Sequence, residues 1–578
     1  MKLSCVGKQP LSWYALRLLA ALFPLLTITA LSAGAVFTEK AFYTNLSFTF
    51  LLCVWALIFA ALCKVSGNAF VYCLMVGAAV CYCCVCAAEA QDWAFGIACC
   101  AAMLALVLFF EPPRFPEPGK RTLWAAVIAL ILLYTLYVGG LCCVQYRRYR
   151  TPCYDFGLFA QMFYYMKETG RCLVTCERDR LLSHFAVHFS PIYYLFLPVY
   201  VLLPSPETLL VLQPLTVAGA AVPLALLCRQ KGLSNAAALG FCVCLLMYPA
   251  FMGGCFWYLH ENCFLTPLLL WLILFFEKGK TLPAFVFSLL TLCVKEDAAV
   301  YVAAVALYYL FASKYYKCSV SVLLFSLAWF AAVTHLMGAF GLGIMDRSRY
   351  GNYMYDGGGL FSVVRSVFMN PAYALKEIFA GEKYLFALQM LAPMCFLPLA
   401  IKKPARLVLL IPLILVNLMT RYVYQYNIGY QYTFGSGALL FCMALSNYAE
   451  QKRNRNRLLL CAVLSCAILF CGGYAAKADA PLLYRREQAQ ISSIETALSL
   501  IPADADVSAS SFLLANLSQR RTVYELESTK QKAQYVAMDL RFNKENSVEP
   551  FIAEGYRVLY HDEGVIAILQ RDAPNESG

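Results

Sequence analysis

Apolar runs separated by short polar loops occupy most of the chain up to residue 474, and this pattern predicts an all-α polytopic membrane protein. A membrane-spanning helix needs about 20 predominantly apolar residues. The sequence accordingly predicts fifteen spans, at roughly 16–37, 45–63, 68–88, 93–110, 122–144, 207–228, 235–254, 263–277, 281–295, 297–313, 319–341, 384–401, 406–421, 431–447 and 457–474. The segment 191–204 has Pro at both ends and is short for a span, so we expect it to be interfacial or re-entrant.

The first span has a second interpretation. Ala33-Gly34-Ala35 resembles the cleavage site of a signal peptide. The apolar run before it is long, however, and further spans follow directly. We therefore expect an uncleaved anchor.

Beyond residue 474 the pattern becomes that of a small soluble α/β domain. Residues 481–500 are spaced as an amphipathic helix that ends before Pro502, and Asp562-Glu563-Gly564 forms the turn of a hairpin. The strands are predicted at 506–510, 522–525, 534–539, 556–560 and 565–570. We expect three regions: a four-helix membrane region at 1–121, a membrane core at 122–474 with a long outer loop at 145–206, and an extracytoplasmic α/β domain at 475–578.

The composition agrees with a membrane protein. Hydrophobic residues make up 61% of the chain and charged residues 14%, whereas soluble domains carry about a quarter charged residues. The net charge of +12 would also suit nucleic-acid binding. The cations fall in short clusters between apolar runs, where membrane orientation explains them better, so we expect no nucleic-acid partner.

The 27 cysteines lie mostly within apolar runs, as between Cys81 and Cys86. Buried Cys behaves as a small hydrophobic residue, so these positions favour packing over metal or redox chemistry. Cys172 with Cys176, or Cys255 with Cys263, are the pairs that could form disulfides in outer loops.

Lysine and arginine in the short loops predict the orientation, because cytoplasmic loops are enriched in these residues. They cluster on alternate loops, at Lys2, Lys8, Arg17, Lys64, Arg114, Lys120, Arg121, Arg229, Lys231, Lys278, Lys280, Lys314, Lys317, Lys402, Lys403, Arg406, Lys452, Arg453, Arg455 and Arg457. All of these lie inside if 191–204 does not cross. The predicted orientation is N-terminus in and C-terminus out.

With this orientation, the polar residues that are unusual for a membrane protein lie on the outer side. In the loop 145–206, Phe156, Phe159, Phe163 and Met166 repeat at helical spacing. This pattern predicts an amphipathic helix on the membrane surface with Asp155 at its start. An Asp at this position could act simply as the helix N-cap.

Two further clusters lie at the outer ends of spans. Lys295-Glu296-Asp297 stands between two apolar runs with almost no loop. Charges at membrane depth cost a few kcal/mol each, so such a cluster indicates a functional site; the alternative is a tight outer turn with solvated charges. His260-Glu261 follows an aromatic cluster, as interfacial residues also do.

Other polar residues on this side fit anion or metal binding. His184 and His188 have the i, i+4 spacing of two metal ligands. Pro191 and the lack of a nearby carboxylate weaken that interpretation, so a structural role fits these histidines at least as well. Outer cations that could hold a phosphate are Arg347, Arg349, Lys376, Lys383 and Arg421. The sequence has no GxSxG, Walker loop, GxGxxG after a strand, paired CxxC or HExxH. This argues against a serine hydrolase, an ATP-driven pump and a zinc protease.

Taken in order, these pieces resemble a bacterial family of predicted membrane proteins, domain of unknown function 2079. The resemblance covers roughly 120–570. It lies in Tyr154-Asp155-Phe156-Gly157, Gln161, His188-Phe189-Ser190-Pro191, His260-Glu261, Lys295-Glu296-Asp297-Ala298, Gln431-Tyr432, the stretch from Ile501-Pro502 to Ser510, and Leu517-Ser518-Gln519-Arg520-Arg521. The Lys-Glu-Asp piece is its most specific part, and the first four spans lie outside it.

That family looks related to the glycosyltransferases of C-type fold (GT-C), and the resemblance implies both a GT-C-like core and a reaction. Those enzymes place an acid in the first long outer loop and take a sugar from a polyprenyl-phosphate donor. Asp155 stands where that acid would be. Many of them have two adjacent acids there, whereas Asp155 has no acidic neighbour. The second acid would be Glu261, Glu296 or Asp297, and if a divalent cation is needed its ligands would be Asp155, Glu261 or Asp297.

The resulting hypothesis is sugar transfer to an unidentified glycan, lipid or protein acceptor on the outer face of the bacterial cytoplasmic membrane. Asp155 is the predicted base, and Glu296, Asp297, His260 and Glu261 are the further catalytic candidates. The predicted lipid-phosphate and substrate ligands are Lys295, Arg421, Arg347, His188 and Gln161. The alternatives are a transporter or flippase of envelope lipids or glycans, and a non-catalytic envelope scaffold. A transporter would place its ionisable residues near the bilayer midplane, often in repeated halves, and no repeat is evident.

Overall fold

The computed structural model describes residues 9–33, 47–113, 116–312, 315–339, 342–355, 357–542 and 547–571. The predicted cationic residues Lys2, Lys8, Arg114 and Lys314 lie outside these ranges, as do Gly34 and Ala35 of the cleavage-site pattern. The described chain is mostly helical, with a small sheet near its C-terminal end. This confirms the broad fold class.

The membrane region is built from helices of very different lengths. The first group is α1 (Leu11–Ala33), α2 (Phe48–Cys63), α3 (Asn68–Ala90), α4 (Trp93–Phe109) and α5 (Lys120–Arg147). The loop after α5 contains α6 (Leu158–Thr169), β1 (Leu173–Val174), β2 (Leu182–Ser183) and α7 (Leu197–Leu202). Next come α8 (Pro206–Gly219), α9 (Ala221–Gln230), α10 (Asn235–Leu246), α11 (Pro249–Phe256), α12 (Leu265–Glu277), α13 (Thr281–Leu292), α14 (Ala298–Ala312) and α15 (Tyr316–Ala339). The last group is α16 (Asp346–Tyr350), α17 (Leu360–Met369), α18 (Pro371–Ile378), α19 (Lys383–Leu391), α20 (Phe434–Glu450) and α21 (Arg455–Tyr474).

The expected count of fifteen spans is not supported. Among the described residues, six helical stretches are long and apolar enough to cross a membrane, or seven if the bent pair α10 and α11 is one span. The six are Leu11–Ser32, Asn68–Ala90, Lys120–Arg147, Pro206–Gln230, Tyr316–Ala339 and Arg455–Arg486. Several other apolar runs form helices that are too short, such as α13 and α14.

Proline residues explain why the helices within two of these apolar runs are short. In the predicted span 384–401, α19 ends at Leu391, and single 3₁₀ turns follow at Pro393 and Pro398. The predicted span 406–421 is a 3₁₀ segment followed by a π segment that begins directly after Pro412. Proline lacks the backbone N–H that a continuous helix requires, so hydropathy overestimates the length of helix in such runs.

The three largest clusters of buried apolar residues in the described part of the chain organise the fold. One joins α1, α3 and α4 to α21. The largest extends through the remaining membrane helices and includes the loop after α5. The third lies in the tail and includes Tyr149 and Cys153 from the start of that loop. The predicted boundaries at 121 and 474 stay predictions.

The tail forms an α/β unit. It consists of α22 (Ala480–Arg486), α23 (Gln488–Leu498), β3 (Val507–Ala509), α24 (Ser511–Leu517), β4 (Val523–Glu525), β5 (Tyr535–Asp539), α25 (Glu549–Ala553), β6 (Tyr556–Asp562) and β7 (Ile566–Arg571). The sheet order is β4-β3-β5-β7-β6, with β3 parallel to β4 and β5 and with antiparallel pairs β5-β7 and β6-β7. Each of these strands overlaps a predicted one, whereas the sequence does not predict α24 or α25.

Polar contacts dock the tail onto the loop that follows α5. Arg148 makes a bidentate ion pair with Glu487, at 2.9 and 2.8 Å. Gln161 donates to the carbonyl oxygen of Arg521 at 3.2 Å and to the hydroxyl of Thr175 at 2.7 Å. Ser511, just after β3, accepts from the Cys153 N–H, and Arg541, just after β5, donates to the Tyr149 carbonyl. The carboxyl ends of β3 and β5 therefore lie beside the turn that contains Asp155.

Candidate functional site

Asp155 occupies a strained turn immediately before α6. Its φ of 64° and ψ of −67° lie in the γ-turn region that residues other than glycine rarely adopt. The turn is held from both sides: the Cys153 N–H donates to the Ser511 hydroxyl at 3.1 Å, and the Phe156 ring is buried against Tyr258. Such strain persists only where the surroundings impose it, and it is common at functional sites.

The predicted amphipathic helix exists as α6, but its environment differs from the prediction. Phe159, Phe163 and Met166 are buried, and Phe163 packs between Tyr193 and Tyr200. The apolar face therefore contacts protein rather than the membrane surface. The Asp155 carboxylate does not cap the helix either, because the side chain turns toward Trp257.

The Asp155 carboxylate accepts a hydrogen bond from the indole N–H of Trp257 at 2.6 Å. Burial raises the pKa of Asp155, the Trp257 bond opposes that rise, and the charges of Glu261, Lys295 and His188 are close enough to act on it. The Asp155 carboxylate is therefore close to the residues that the sequence reading grouped with it, although they come from distant parts of the chain.

Glu261 is the centre of a fully buried ion-pair cluster. It begins the 3₁₀ turn after α11, and its carboxylate lies 3.1 Å from the Lys295 ammonium and 3.1 Å from Nδ1 of His260. The Tyr193 hydroxyl donates to the same carboxylate at 2.6 Å. Burial acts to raise the pKa of Glu261, but its buried partners outweigh this effect and hold the pKa well below its usual range. Burial also lowers the pKa of His260, so Lys295 is the cation of the cluster. Glu261 is thus an ionised structural partner of Lys295.

Glu296 is paired in the same manner. Its Oε1 lies 2.8 Å from Nδ1 of His188, and its Oε2 accepts from the Phe189 N–H at 3.3 Å. Burial favours the neutral acid, but the His188 pairing lowers the pKa of Glu296 to about 2. The turn between α13 and α14 is therefore tied to the loop that carries His188.

Asp297, the third member of the cluster, differs from both glutamates. Its Oδ1 is buried and makes no hydrogen bond to the described residues. Burial raises the pKa of Asp297, Lys295 opposes that rise, and the negative charge of Glu296 adds to it. Among the acids of the turn, Asp297 is the one left available to a ligand.

Asp297 opens into a cavity of about 540 Å³ between α14, α15, α17 and the 411–419 segment. Its walls are mostly aliphatic, with side chains such as Val300, Leu307, Leu323 and Leu415. The charged end is formed by His188, Lys295, Glu296, Asp297, Asp346 and Arg349, with Tyr350, Gln425 and Tyr432 beside them. The cavity is thus apolar along its length and charged at one end.

Arg349 supplies a cation at the cavity, although the sequence favours Arg347 and Arg421 as the phosphate ligands. Its guanidinium lies 3.9 Å from the Tyr422 ring centroid, and its Nη1 is buried without a hydrogen-bond partner in the described residues. Arg347 instead donates to the Gly357 carbonyl, and Arg421 to the Ser348 carbonyl; neither of these arginines lines the cavity. Arg347 and Arg349 are only two residues apart, so the sequence alone does not indicate which of them lines the cavity.

Asp155 itself does not line this cavity, but a row of aromatic rings joins the two. Trp257 contacts Tyr430 at a centroid distance of 4.4 Å, and Tyr430 contacts Tyr424 at 4.7 Å. The row continues through Tyr422, 5.0 Å from Tyr424, to Tyr432, 6.1 Å further on. No local pattern in the sequence indicates that these rings connect Asp155 to the cavity.

Two other predicted residues have structural roles here. Gln161 is buried in the contact between the loop and the tail, away from the cavity. His184 contacts Glu177 at 3.5 Å, and its ring lies 6.0 Å from that of His188. The i, i+4 pair therefore uses separate carboxylate partners.

The donor set does not fit a resident divalent cation. No group of three or more His, Cys, Asp or Glu side chains able to hold a metal occurs in the described part of the chain. Glu261 is paired with Lys295, and Glu296 is paired with His188, so both carboxylates already have protein partners.

The fold and the cavity define a polytopic helical membrane protein with a docked α/β domain and a polar cluster at the end of an apolar cavity. The chain belongs to the predicted membrane protein family DUF2079, whose family model matches residues 148–566. The match begins in the loop that carries Asp155 and ends in β7, so α1 to α5 lie outside it. No curated protein is significantly similar to the chain.

Proposed function

We propose that this protein is a membrane glycosyltransferase that moves a sugar from a polyprenyl-phosphate donor to an acceptor on the outer face of the bacterial cytoplasmic membrane. The observation that supports it is the 540 Å³ cavity with aliphatic walls and a charged end. A polyprenyl phosphate has the same division, because a long hydrocarbon chain ends in a phosphate group. Burial of the chain against α14 and α15 would supply most of the affinity.

Lys295 and Arg349 are the cations for the phosphate. The buried Nη1 of Arg349 has no partner among the described residues, so an incoming phosphate oxygen would satisfy it. Lys295 is already paired with Glu261, which fixes its ammonium at the cavity end. Cations fixed in advance stabilise the charge that develops on the departing phosphate at little reorganisation cost.

Asp155 is the proposed base. The acceptor hydroxyl attacks the anomeric carbon, the bond between that carbon and the phosphate oxygen breaks, and Asp155 takes the hydroxyl proton. Its raised pKa suits this step, because a base works best when its pKa approaches the operating pH. General-base help of this type contributes about 10²–10⁴-fold. Asp297 would bind a sugar hydroxyl through its unpartnered oxygen.

The test is transfer of radiolabelled sugar in membranes that contain the Asp155→Asn variant and are supplied with polyprenyl-phosphate-linked sugars. Transfer should fall at least about 100-fold. The matched control is Asp504→Asn, which changes an exposed acid of the tail. If Asp155→Asn transfers sugar to every acceptor tried at the parent rate, the assignment is wrong.

A further inference from the structure

A second cavity, of about 290 Å³, is lined by the 426–429 segment and is separate from the 540 Å³ cavity described above. Its walls come from α4, α19, the 426–429 segment and the end of α21. The volume is close to the lower end of the range of about 300–1,000 Å³ that is usual for small-molecule sites. A cavity of this size suits one ring-sized polar unit rather than a lipid chain.

The lining combines aromatic rings with planar polar groups. Trp93, Tyr426 and Tyr474 supply the rings, and Glu382 and Gln389 supply an acid and an amide. Gln389 is 9% exposed and Tyr474 is 8% exposed, and both side chains line the cavity. Aromatic rings beside an amide and a carboxylate suit a ligand that offers both apolar surface and hydroxyl groups.

Sugars match this lining better than other small polar molecules do. The C–H face of a pyranose ring packs on an aromatic ring and buries apolar surface, while its hydroxyls exchange hydrogen bonds with amides and carboxylates. The cavity offers both kinds of contact within one small volume. A phosphorylated ligand fits less well, because no Lys or Arg lines this cavity.

The second cavity is connected to Asp155 through a short series of contacts. Gly429 lines the cavity, and Tyr430, the next residue, packs on Trp257 at a centroid distance of 4.4 Å. Trp257 in turn donates its hydrogen bond to Asp155. A ligand held here would lie at the Trp257 end of the aromatic row, next to the residues that contact the proposed base.

We propose that this cavity binds a saccharide unit of the acceptor. The inference rests on the proposed glycosyl transfer and extends it by naming the acceptor as a glycan or glycoconjugate. Trp93 comes from α4, outside the part of the chain that the family model matches. The N-terminal helices therefore contribute to acceptor choice.

Binding can be measured without any transfer reaction. The full chain is placed in lipid nanodiscs, because maltoside detergents carry sugars of their own, and is titrated with methyl glycosides of hexoses, N-acetylhexosamines and pentoses by saturation-transfer NMR. At least one glycoside should bind. Gln389→Ala should weaken it about tenfold, since an amide contributes up to two hydrogen bonds of about 1 kcal/mol each, and Trp93→Leu should weaken it similarly.

The controls change the same residue types elsewhere. Gln488→Ala alters an exposed glutamine of the tail, and Trp55→Leu alters a tryptophan of α2; both should bind the glycoside as the parent does. If Trp93→Leu does not fold, Gln389→Ala and Glu382→Gln carry the test. The inference is overturned if no glycoside binds, or if the cavity variants bind as tightly as the controls.

The same series separates this inference from the proposed function. Asp155→Asn should keep glycoside binding while losing transfer. Binding that depends on Gln389 in a protein without transfer activity would retain the saccharide site and reject the transferase. Sugar transfer that depends on Asp155, together with glycoside binding that Gln389→Ala does not weaken, would retain the transferase and reject the saccharide site.

Discussion

Replacing Lys295 by methionine should destabilise the protein, because it leaves the Glu261 carboxylate buried without its main cation. The side chains of Lys295 and Glu261 are 3% and 0% exposed, so solvent cannot take over the role of the ammonium. Removing one partner of a buried pair typically costs about 3–5 kcal/mol. This cost arises from the uncompensated charge, not from lost packing, since methionine fills a similar volume.

The expected shift in melting temperature follows from the size of the chain. An unfolding entropy of about 2.1 cal/mol/K per residue gives about 1.2 kcal/mol/K for 578 residues. A loss of 4 kcal/mol then lowers the melting temperature by about 3 °C. Helices in a membrane keep part of their order on heating, so the true entropy is smaller and the shift at least this large.

A thiol-reactive fluorogenic dye can follow this unfolding, because Cys263 is fully buried two residues from Glu261. Lys452→Met, at an exposed position, is the matched control and should shift the melting temperature by less than 1 °C. The double variant Lys295→Met with Glu261→Gln should recover most of the loss, since the amide still accepts from Tyr193. A double variant as unstable as the sum of its single changes would refute the ion-pair account.

Three further outcomes are expected. Arg349→Gln should raise KM for a polyprenyl-phosphate sugar about tenfold with a smaller change in kcat, whereas Arg347→Gln should leave both near parent values, as measured by initial rates. The pKa of Asp155 lies above its ordinary value of 3.8, so the ionised carboxylate destabilises the folded protein at neutral pH. Transfer should therefore fall as the pH drops through the raised pKa, and Asp155→Asn should not lower the melting temperature in thermal scans at pH 7. Gln161→Leu should loosen the docked tail and speed its limited proteolysis severalfold, which Gln488→Leu should not do.

The sequence was most informative where local pattern decides the structure. Alternation and turn residues predicted the strands of the tail, and a charged tripeptide between two apolar runs marked Lys295-Glu296-Asp297 before any contact was known. The number of spans was not predictable in this way. Hydropathy measures solubility in lipid, whereas helix length depends on backbone breaks at Pro393, Pro398 and Pro412.

The site depended on contacts that no local pattern carries. The turn that contains Asp155 is held partly by the hydrogen bond from Cys153 to Ser511, 358 positions later in the chain. Arg347 and Arg349 differ in sequence by two places, yet only Arg349 lines the cavity, because their short helix α16 directs their side chains differently. Both outcomes require the packed tertiary structure.

The electrostatics of the four acids divide them into two pairs, and this division supports the proposed roles. Glu261 and Glu296 are held ionised by Lys295 and His188, with their pKa values lowered. Burial raises the pKa values of Asp155 and Asp297, and the Asp297 Oδ1 has no protein partner among the described residues. Environments that push the pKa values of neighbouring carboxyls apart are how acid and base roles are separated in enzymes. In the proposed reaction, the glutamates would fix the groups that face the phosphate, and the aspartates would remain for the acceptor proton and the sugar.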